Sequence, residues 1–265
     1  KHAAYVERIV AYMTTASREG KQRTSWANVN APYEEATTRF VRALLEDRPG
    51  NAFLEDLRAA AKPIAWIGFL NSLAMAAIKL TSPGVPDIYQ GNETWDFSLV
   101  DPDNRRPVDY ERRRAMLAAL SALREPLAPA LADMLAHLED GRAKMHVIFR
   151  LLQLRKEREA LFREAGYTPV RATGEHARHV IAFARRHGGE SAVTVAPRLV
   201  AGLGVGPRTL PCGAIWGATR LDLGFLKDGT VLRDALTLAR HTVQDGGLGL
   251  APVLAHFPLA VLVAP

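Results

Sequence analysis

Apolar residues recur at three- and four-residue spacing through most of the first 165 positions, and in short alternating runs after Gly166. Val6, Ile9, Val10, Met13 and Ala16 share one face of a helix over 2–19, with Gly20 as its stop. Residues 21–31 read as a loop centred on Trp26. Pro32 opens a helix to about Asp47, with Glu34 and Glu35 in the first turn, where the helix dipole favours carboxylates, and Phe40, Val41, Leu44 and Leu45 as its apolar face. Asn51 caps a short helix to Lys62, and Pro63 starts a second, buried helix to Leu80. Asp109 caps a helix bearing Met116, Leu117, Leu120 and Leu123; shorter helical turns cover 130–138, and 144–165 forms one long helix.

From Gly166 the period drops to two. The best strands are His179–Arg185, Ser191–Ala196, Ile215–Leu223, Val231–Asp234 and Leu259–Val263, separated by Gly and Pro, which reads as a small antiparallel sheet or sandwich. Between the two textures lies 83–110, with Pro at 83, 86, 102 and 107. Asp87–Gln90 suits one short buried strand; after it comes a long polar loop carrying Gln90, Glu93, Trp95, Asp96, Asp101, Asp103, Arg105, Arg106 and Asp109. A strand opening into such a loop is where an α/β enzyme places its chemistry.

Composition narrows the classes. A chain of 265 residues that is 48% hydrophobic and 23% charged has ample material for two or three units with real cores. The net charge of +6 comes from arginines interleaved with glutamates along helices, without the aromatic stripe of a nucleic-acid face, so no nucleic-acid partner is expected. The most apolar run, Pro63–Leu80, is broken by Asn71, Ser72 and Lys79 and reads as a buried helix, so no membrane partner is expected either. The single Cys212 cannot form an internal disulfide and reads as a bystander thiol, and no apolar leader is visible; both fit a cytoplasmic location. No Cys/His cluster has metal spacing, so no metal or cofactor is expected.

The stretch SPGVPDIYQGNE (82–93) followed by DPDNRRPVDYERR (101–113) resembles the end of the eighth barrel strand and its loop in the α-amylase superfamily of glycoside hydrolases. The first half is common to much of the superfamily; the second is more specific and is most similar to the trehalose-forming glucosylmutases within it. TSWANVNAPYEEA (24–36), LNSLAMAAIKLTSPG (70–84), the 146–162 helix, AFARR (182–186) and WGATRLDL (216–223) resemble successive landmarks of the carboxyl-terminal part of such enzymes. The resemblance implies an α+β multidomain fragment. A helical insertion would cover 1–82, the last strand and helix of a (β/α)8 barrel with its polar loop 83–165, and a C-terminal β-sandwich domain 166–265.

It also implies chemistry in which a maltooligosaccharide's reducing-end glucose moves from an α-1,4 to an α,α-1,1 linkage by a retaining route that needs three carboxylates. In the superfamily those acids end earlier barrel strands, and 1–83 reads as helices and one loop. They are therefore expected upstream, leaving this chain catalytically inert alone and partnered by the upstream barrel. A lone barrel strand leaves its ladder unpaired, so Asp87–Gln90 is expected to be rearranged, mobile or paired with another copy.

Candidate substrate contacts follow. Tyr89 offers a stacking face and Gln90 both a donor and an acceptor, as sugar hydroxyls require, although Tyr89 in an isolated strand would be plain core. Glu93 and Trp95 read as substrate-side groups, or Trp95 as a wedge against the preceding helix. Asp101 and Asp103 with Arg105 and Arg106 read either as loop-bracing pairs or as sugar contacts; the adjacent cations depress the carboxylate pKa values, the wrong direction for a general acid. Trp26, with Asn28 and Tyr33, is a second patch that would stack sugar and exclude water from a transfer reaction, or plug a helix junction. Two alternatives remain: a non-catalytic carbohydrate-binding or interaction module, and part of another α-glucan hydrolase or a branching or debranching enzyme.

Overall fold

The computed structural model describes residues 2–101 and 103–264; Pro102, one of the loop prolines, lies outside them. The chain is an α+β protein of two compact units, Lys1–Ile64 with Asp96–Val108, and Ala65–Trp95 with Asp109–Pro265.

In the first unit, α1 (His2–Gly20) and α2 (Ala31–Leu44) pack with the start of α3 (Ala52–Thr81). Val41, Leu45 and Leu54 are buried against Val6, Ile9, Val10 and Met13, the stripe that the spacing predicts. Phe40 departs from that expectation and is 64% exposed, because it lies about 100° round the helix from Val41 and about 140° from Leu45. Asn30 caps α2 by accepting from the Tyr33 amide at 3.3 Å. Asn51 joins two helix ends: its Oδ1 accepts from the Leu54 amide at 3.2 Å, while its Nδ2 donates to the carbonyls of Leu44 and Glu46. Orphan groups of α2 and α3 are thus satisfied by one side chain. At the end of α1 the left-handed residue is Lys21, with φ 52°, one position past the Gly20 expected as the stop.

Pro63 does not divide two helices. α3 runs uninterrupted for 30 residues with Pro63 inside it. A proline here removes one intrahelical hydrogen bond, and the flanking turns are exposed, so water can satisfy the freed carbonyl. By length and composition α3 is apolar enough to cross a membrane. Its Leu70, Leu73, Ala77 and Leu80 instead belong to the core of the second unit.

That unit continues through α4 (Tyr110–Ser121), α5 (Ala128–Ala136), α6 (Arg142–Glu157) and α7 (Glu159–Glu164). Asp109 caps α4, accepting from the Arg112 amide at 2.9 Å. The single helix expected over 144–165 is broken at Arg158, which has left helical geometry with ψ 48°. Nine strands follow among the described residues: β1 (Gly166–Pro169), β2 (Ala172–Thr173), β3 (Val180–His187), β4 (Glu190–Pro197), β5 (Arg220–Asp222), β6 (Val231–Asp234), β7 (Arg240–Thr242), β8 (Gly247–Gly249) and β9 (Ala260–Ala264), with the one-turn α8 (Leu250–Val253) before β9. They form antiparallel sheets ordered β1-β3-β4-β9-β6-β7 and β2-β5-β8. Of the Ile215–Leu223 run only Arg220–Asp222 is strand; Gly213–Trp216 is a 3-10 turn that sinks Trp216 into the core.

Gly188 and Gly189 link β3 to β4, with φ 58° and 93°. Two left-handed residues match the twist of a two-residue hairpin, and two glycines adopt it without strain. β4 is buried on both faces. Ala192 and Ala196 join the helical core with Leu73 and Leu151, while Val193 and Val195 face Leu221 and Leu248 of the smaller sheet. The helices and the larger sheet therefore share one core across Gly166.

Asp87–Gln90, whose residues suit a strand but whose ladder neighbours are missing, is irregular rather than in barrel-like pairing, and Tyr89 is 61% exposed instead of being buried in a strand. No ladder partner for this segment exists among the described residues. A β-propensity of four residues cannot hold a strand without a neighbour to share its hydrogen bonds.

Candidate functional site

Residues 82–95 are irregular, so their carbonyls lack ladder partners, and basic side chains from three helices supply donors. Arg155 of α6 donates to Leu80 O and Gly84 O, both at 2.9 Å. Lys79 of α3 reaches Asp87 O at 2.7 Å. Arg113 of α4 donates to Gly91 O at 2.7 Å, to Thr94 Oγ1 at 3.2 Å and to Glu93 Oε2 at 3.1 Å. Lys144 of α6 donates to Thr94 O at 2.9 Å. Four basic side chains thus hold one loop to its scaffold.

Trp95 completes that clamp. Its Nε1 donates to Leu138 O at 2.6 Å, and its ring lies 4.8 Å from Phe69 of α3 and 5.8 Å from the Lys144 ammonium. This is the wedge against the preceding helix. Beneath it Gly141 holds φ 86°, and a Cβ there would lie 2.9 Å from Thr94 Cβ. Among the described residues the Gln90 amide nitrogen has no hydrogen-bond partner, while its Oε1 accepts from the Tyr110 hydroxyl at 3.0 Å. Tyr89 presents an exposed ring beside it in sequence.

In the other unit Asp103 anchors residues 96–108. Both carboxylate oxygens accept from Arg8, at 2.9 and 2.8 Å; the Leu99 amide donates to Oδ2 at 2.7 Å, and Arg106 lies 3.2 Å from Oδ1. The hydrogen bond from Arg8 is the largest influence holding the Asp103 carboxyl down to about 2. Arg105 pairs with Asp101 at 2.5 Å. Of the two sequence readings for this cluster, the bracing one matches these contacts. The long-range partner Arg8, 95 residues away, carried no signal in the sequence.

Trp26 sits on the loop between α1 and α2, 55% exposed. Its Nε1 donates to Glu19 Oε1 at 2.7 Å, and the Arg18 guanidinium lies 4.9 Å from its ring centroid. Arg18 also forms two bonds to Glu34, at 2.9 and 2.7 Å, and Thr24 Oγ1 donates to Glu34 at 2.6 Å. These bonds, the Arg18 pair first, hold Glu34 down to about 2. Tyr33, on the first turn of α2, is 38% exposed. The indole is therefore fixed in orientation but not plugged into a junction. Trp26 and Tyr33 stand with Asp103, Arg105 and Arg106 in one unit, and Tyr89, Gln90, Glu93 and Trp95 in the other.

Asp103 and Glu34 are held low, the wrong direction for a general acid, and Glu93 and Asp101 are ion-paired with Arg113 and Arg105. His146 is buried and pushed down to about 4, chiefly by burial, and burial pushes Cys212 up to about 12. Among the described residues no three His, Cys, Asp or Glu side chains group to hold a metal.

The solved structure of maltooligosyltrehalose synthase from Arthrobacter ramosus superposes on 98% of this chain with TM-score 0.74 and 36% identity. The chain resembles one portion of a maltooligosyl trehalose synthase. A second synthase structure matches 99% of the chain at 26% identity and TM-score 0.68. Curated Mycobacterium tuberculosis proteins that carry the maltooligosyl trehalose synthase name are 39% identical over 183 residues, 69% of this chain. The chain spans 21% of those proteins and 30% of the Arthrobacter synthase. No protein-family model matches it.

Proposed function

We propose that this chain is the carboxyl-terminal portion of a maltooligosyl trehalose synthase, where it builds part of the wall around a bound maltooligosaccharide and leaves bond cleavage to an upstream barrel. The observation that carries this is the likeness to the Arthrobacter synthase over 98% of the chain and only 30% of the synthase. The whole reaction would convert the reducing-end α-1,4 linkage to α,α-1,1 by intramolecular transfer. On this reading 1–82 is an insertion subdomain, 83–165 the barrel's last strand and loop, and 166–265 a terminal domain, all cytoplasmic.

Two features support a sugar-facing role. Tyr89 and Gln90 combine an exposed ring with an unengaged amide donor on a loop clamped by four cations. Trp26 offers an indole whose edge is fixed by Glu19 and which carries Arg18 on its ring. Orientation fixed in advance lowers the ordering cost of stacking a pyranose. The engaged carboxylates Glu93, Asp101 and Asp103 support the inert half of the proposal.

The test is to incubate the purified 265-residue chain with maltopentaose and assay for a non-reducing, trehalose-terminated product. No product is expected; formation at an enzymatic rate would overturn the division of labour. In the full-length enzyme, Trp26→Ala and Tyr89→Ala are expected to raise KM for maltopentaose roughly tenfold, the loss of one or two kcal/mol of stacking. Unchanged KM in both would remove these residues from the substrate wall.

A further inference from the structure

A cavity of about 300 Å³ opens in the second unit, between the C-terminal half of α6 and the β6–β7 hairpin. Four arginines line it: Arg150, Arg158, Arg233 and Arg240. Two are engaged at its rim, Arg158 with Glu190 and Arg233 with Glu125. The other two are not. Arg150 uses only Nε, donating to Ala235 O at 2.8 Å, and Arg240 makes no ion pair or side-chain hydrogen bond among the described residues. The cavity's buried carboxylate, Asp234, is occupied elsewhere: it accepts from the amides of Leu236 and Val261 and from Thr237 Oγ1. Glu157, at the cavity wall, acts on Arg150 electrostatically, as do the carboxylates of Asp234 and Glu125, while Arg233 opposes them.

Burial is the largest influence on the half-buried Arg150 and pushes it below its ordinary value, so its charge is held at a cost that an anion on its free terminal nitrogens would lower. Guanidinium groups match tetrahedral oxyanions in geometry, and the cavity lies at the small end of the range for ligand sites. We propose that this cleft binds a small phosphate-bearing molecule, with the terminal nitrogens of Arg150 and the guanidinium of Arg240 on the phosphate oxygens and Glu157 as the competing carboxylate. The site is distinct from the sugar-facing loops and does not depend on the synthase reading.

The test is calorimetric titration of the 265-residue chain with inorganic phosphate, with sodium acetate and sodium chloride at matched ionic strength as controls. Phosphate is expected to bind and to raise the unfolding temperature, while acetate and chloride do neither. Arg240→Ala, at an exposed position, is expected to weaken phosphate binding roughly tenfold, the value of about one charge-assisted hydrogen bond. Glu157→Gln is expected to strengthen it several-fold by removing the competing charge. Arg150→Met is expected to abolish it, and folding of that variant is checked by circular dichroism. Equal response to chloride, or phosphate affinity unchanged in both Arg240→Ala and Glu157→Gln, would overturn the proposal.

Discussion

Replacing Arg185 by Met tests how the second unit joins its helices to its sheet. Arg185 is almost fully buried on β3 and has no carboxylate partner among the described residues. Its guanidinium donates instead to four carbonyls: Gly166 O at 3.0 Å, Thr81 O at 3.1 Å, Phe162 O at 2.9 Å and Ala165 O at 2.7 Å. Thr81 closes α3, and Phe162 and Ala165 close α7. The cation thus sits at two helix C-termini, whose partial negative charges replace a counter-ion. A hydrogen bond involving a charged group contributes roughly 1.5–3 kcal/mol, and a buried carbonyl left unpaired costs about 1–3 kcal/mol. Four bonds through one group do not add, so Arg185→Met is expected to cost about 3–5 kcal/mol, as removal of one partner from a buried ionic network does. In a chain of this size that lowers the unfolding temperature by roughly 10 °C.

Denaturant titration followed by far-ultraviolet circular dichroism measures the loss. Arg185→Lys keeps the charge but has three donors on a single nitrogen, so it is expected to recover only part of the stability. A Met variant within about 1 kcal/mol of the parent would refute the reasoning, because the carbonyls would then be finding other donors at no cost.

Acid should loosen the first unit through two carboxylates. Glu34 falls from 4.5 to about 2 and Asp103 from 3.8 to about 2 on folding, so their contribution is complete above the unfolded values and is lost as pH drops through that window. Hydrogen exchange of α1 and α2 amides is expected to quicken between pH 4.5 and pH 2, and protection that is flat across the window would contradict it. Gly141→Ala places a Cβ 2.9 Å from Thr94 Cβ at a φ of 86°, and is expected to cost about 1–3 kcal/mol. Because Trp95 bonds to Leu138 three residues away, its fluorescence should shift as well; a variant as stable as the parent would show that the loop yields freely. Native Cys212, with its thiol pushed up to about 12, is expected to react with a disulfide reagent far more slowly than after unfolding. Equal rates would place it at the surface.

Local signals were enough wherever a residue's neighbours in sequence are also its partners in space. The stripe of α1, the caps Asn51 and Asp109, and the glycine pair between β3 and β4 are of that kind. So is the drop from a period near four to a period of two at Gly166, which coincides with the first strand. The pairing of Asp101 and Asp103 with Arg105 and Arg106 also follows from spacing alone.

What only the fold decided involves partners far apart in the chain. Sequence carries no mark that Arg8 reaches Asp103, that Arg113 and Lys144 hold the 91–95 backbone, or that Arg185 gathers the ends of two helices. Carbonyls freed by an irregular loop look the same in every residue, so their need for donors becomes visible only once the loop has a path. For the same reason Pro63 read as a boundary and proved an interior position of α3, whereas Asp87–Gln90, strand-like in propensity, is irregular, as the lack of ladder neighbours in the sequence predicts. Propensity speaks for one residue at a time, whereas a helix tolerates a proline where water can reach the freed carbonyl, and a strand exists only where a second strand meets it.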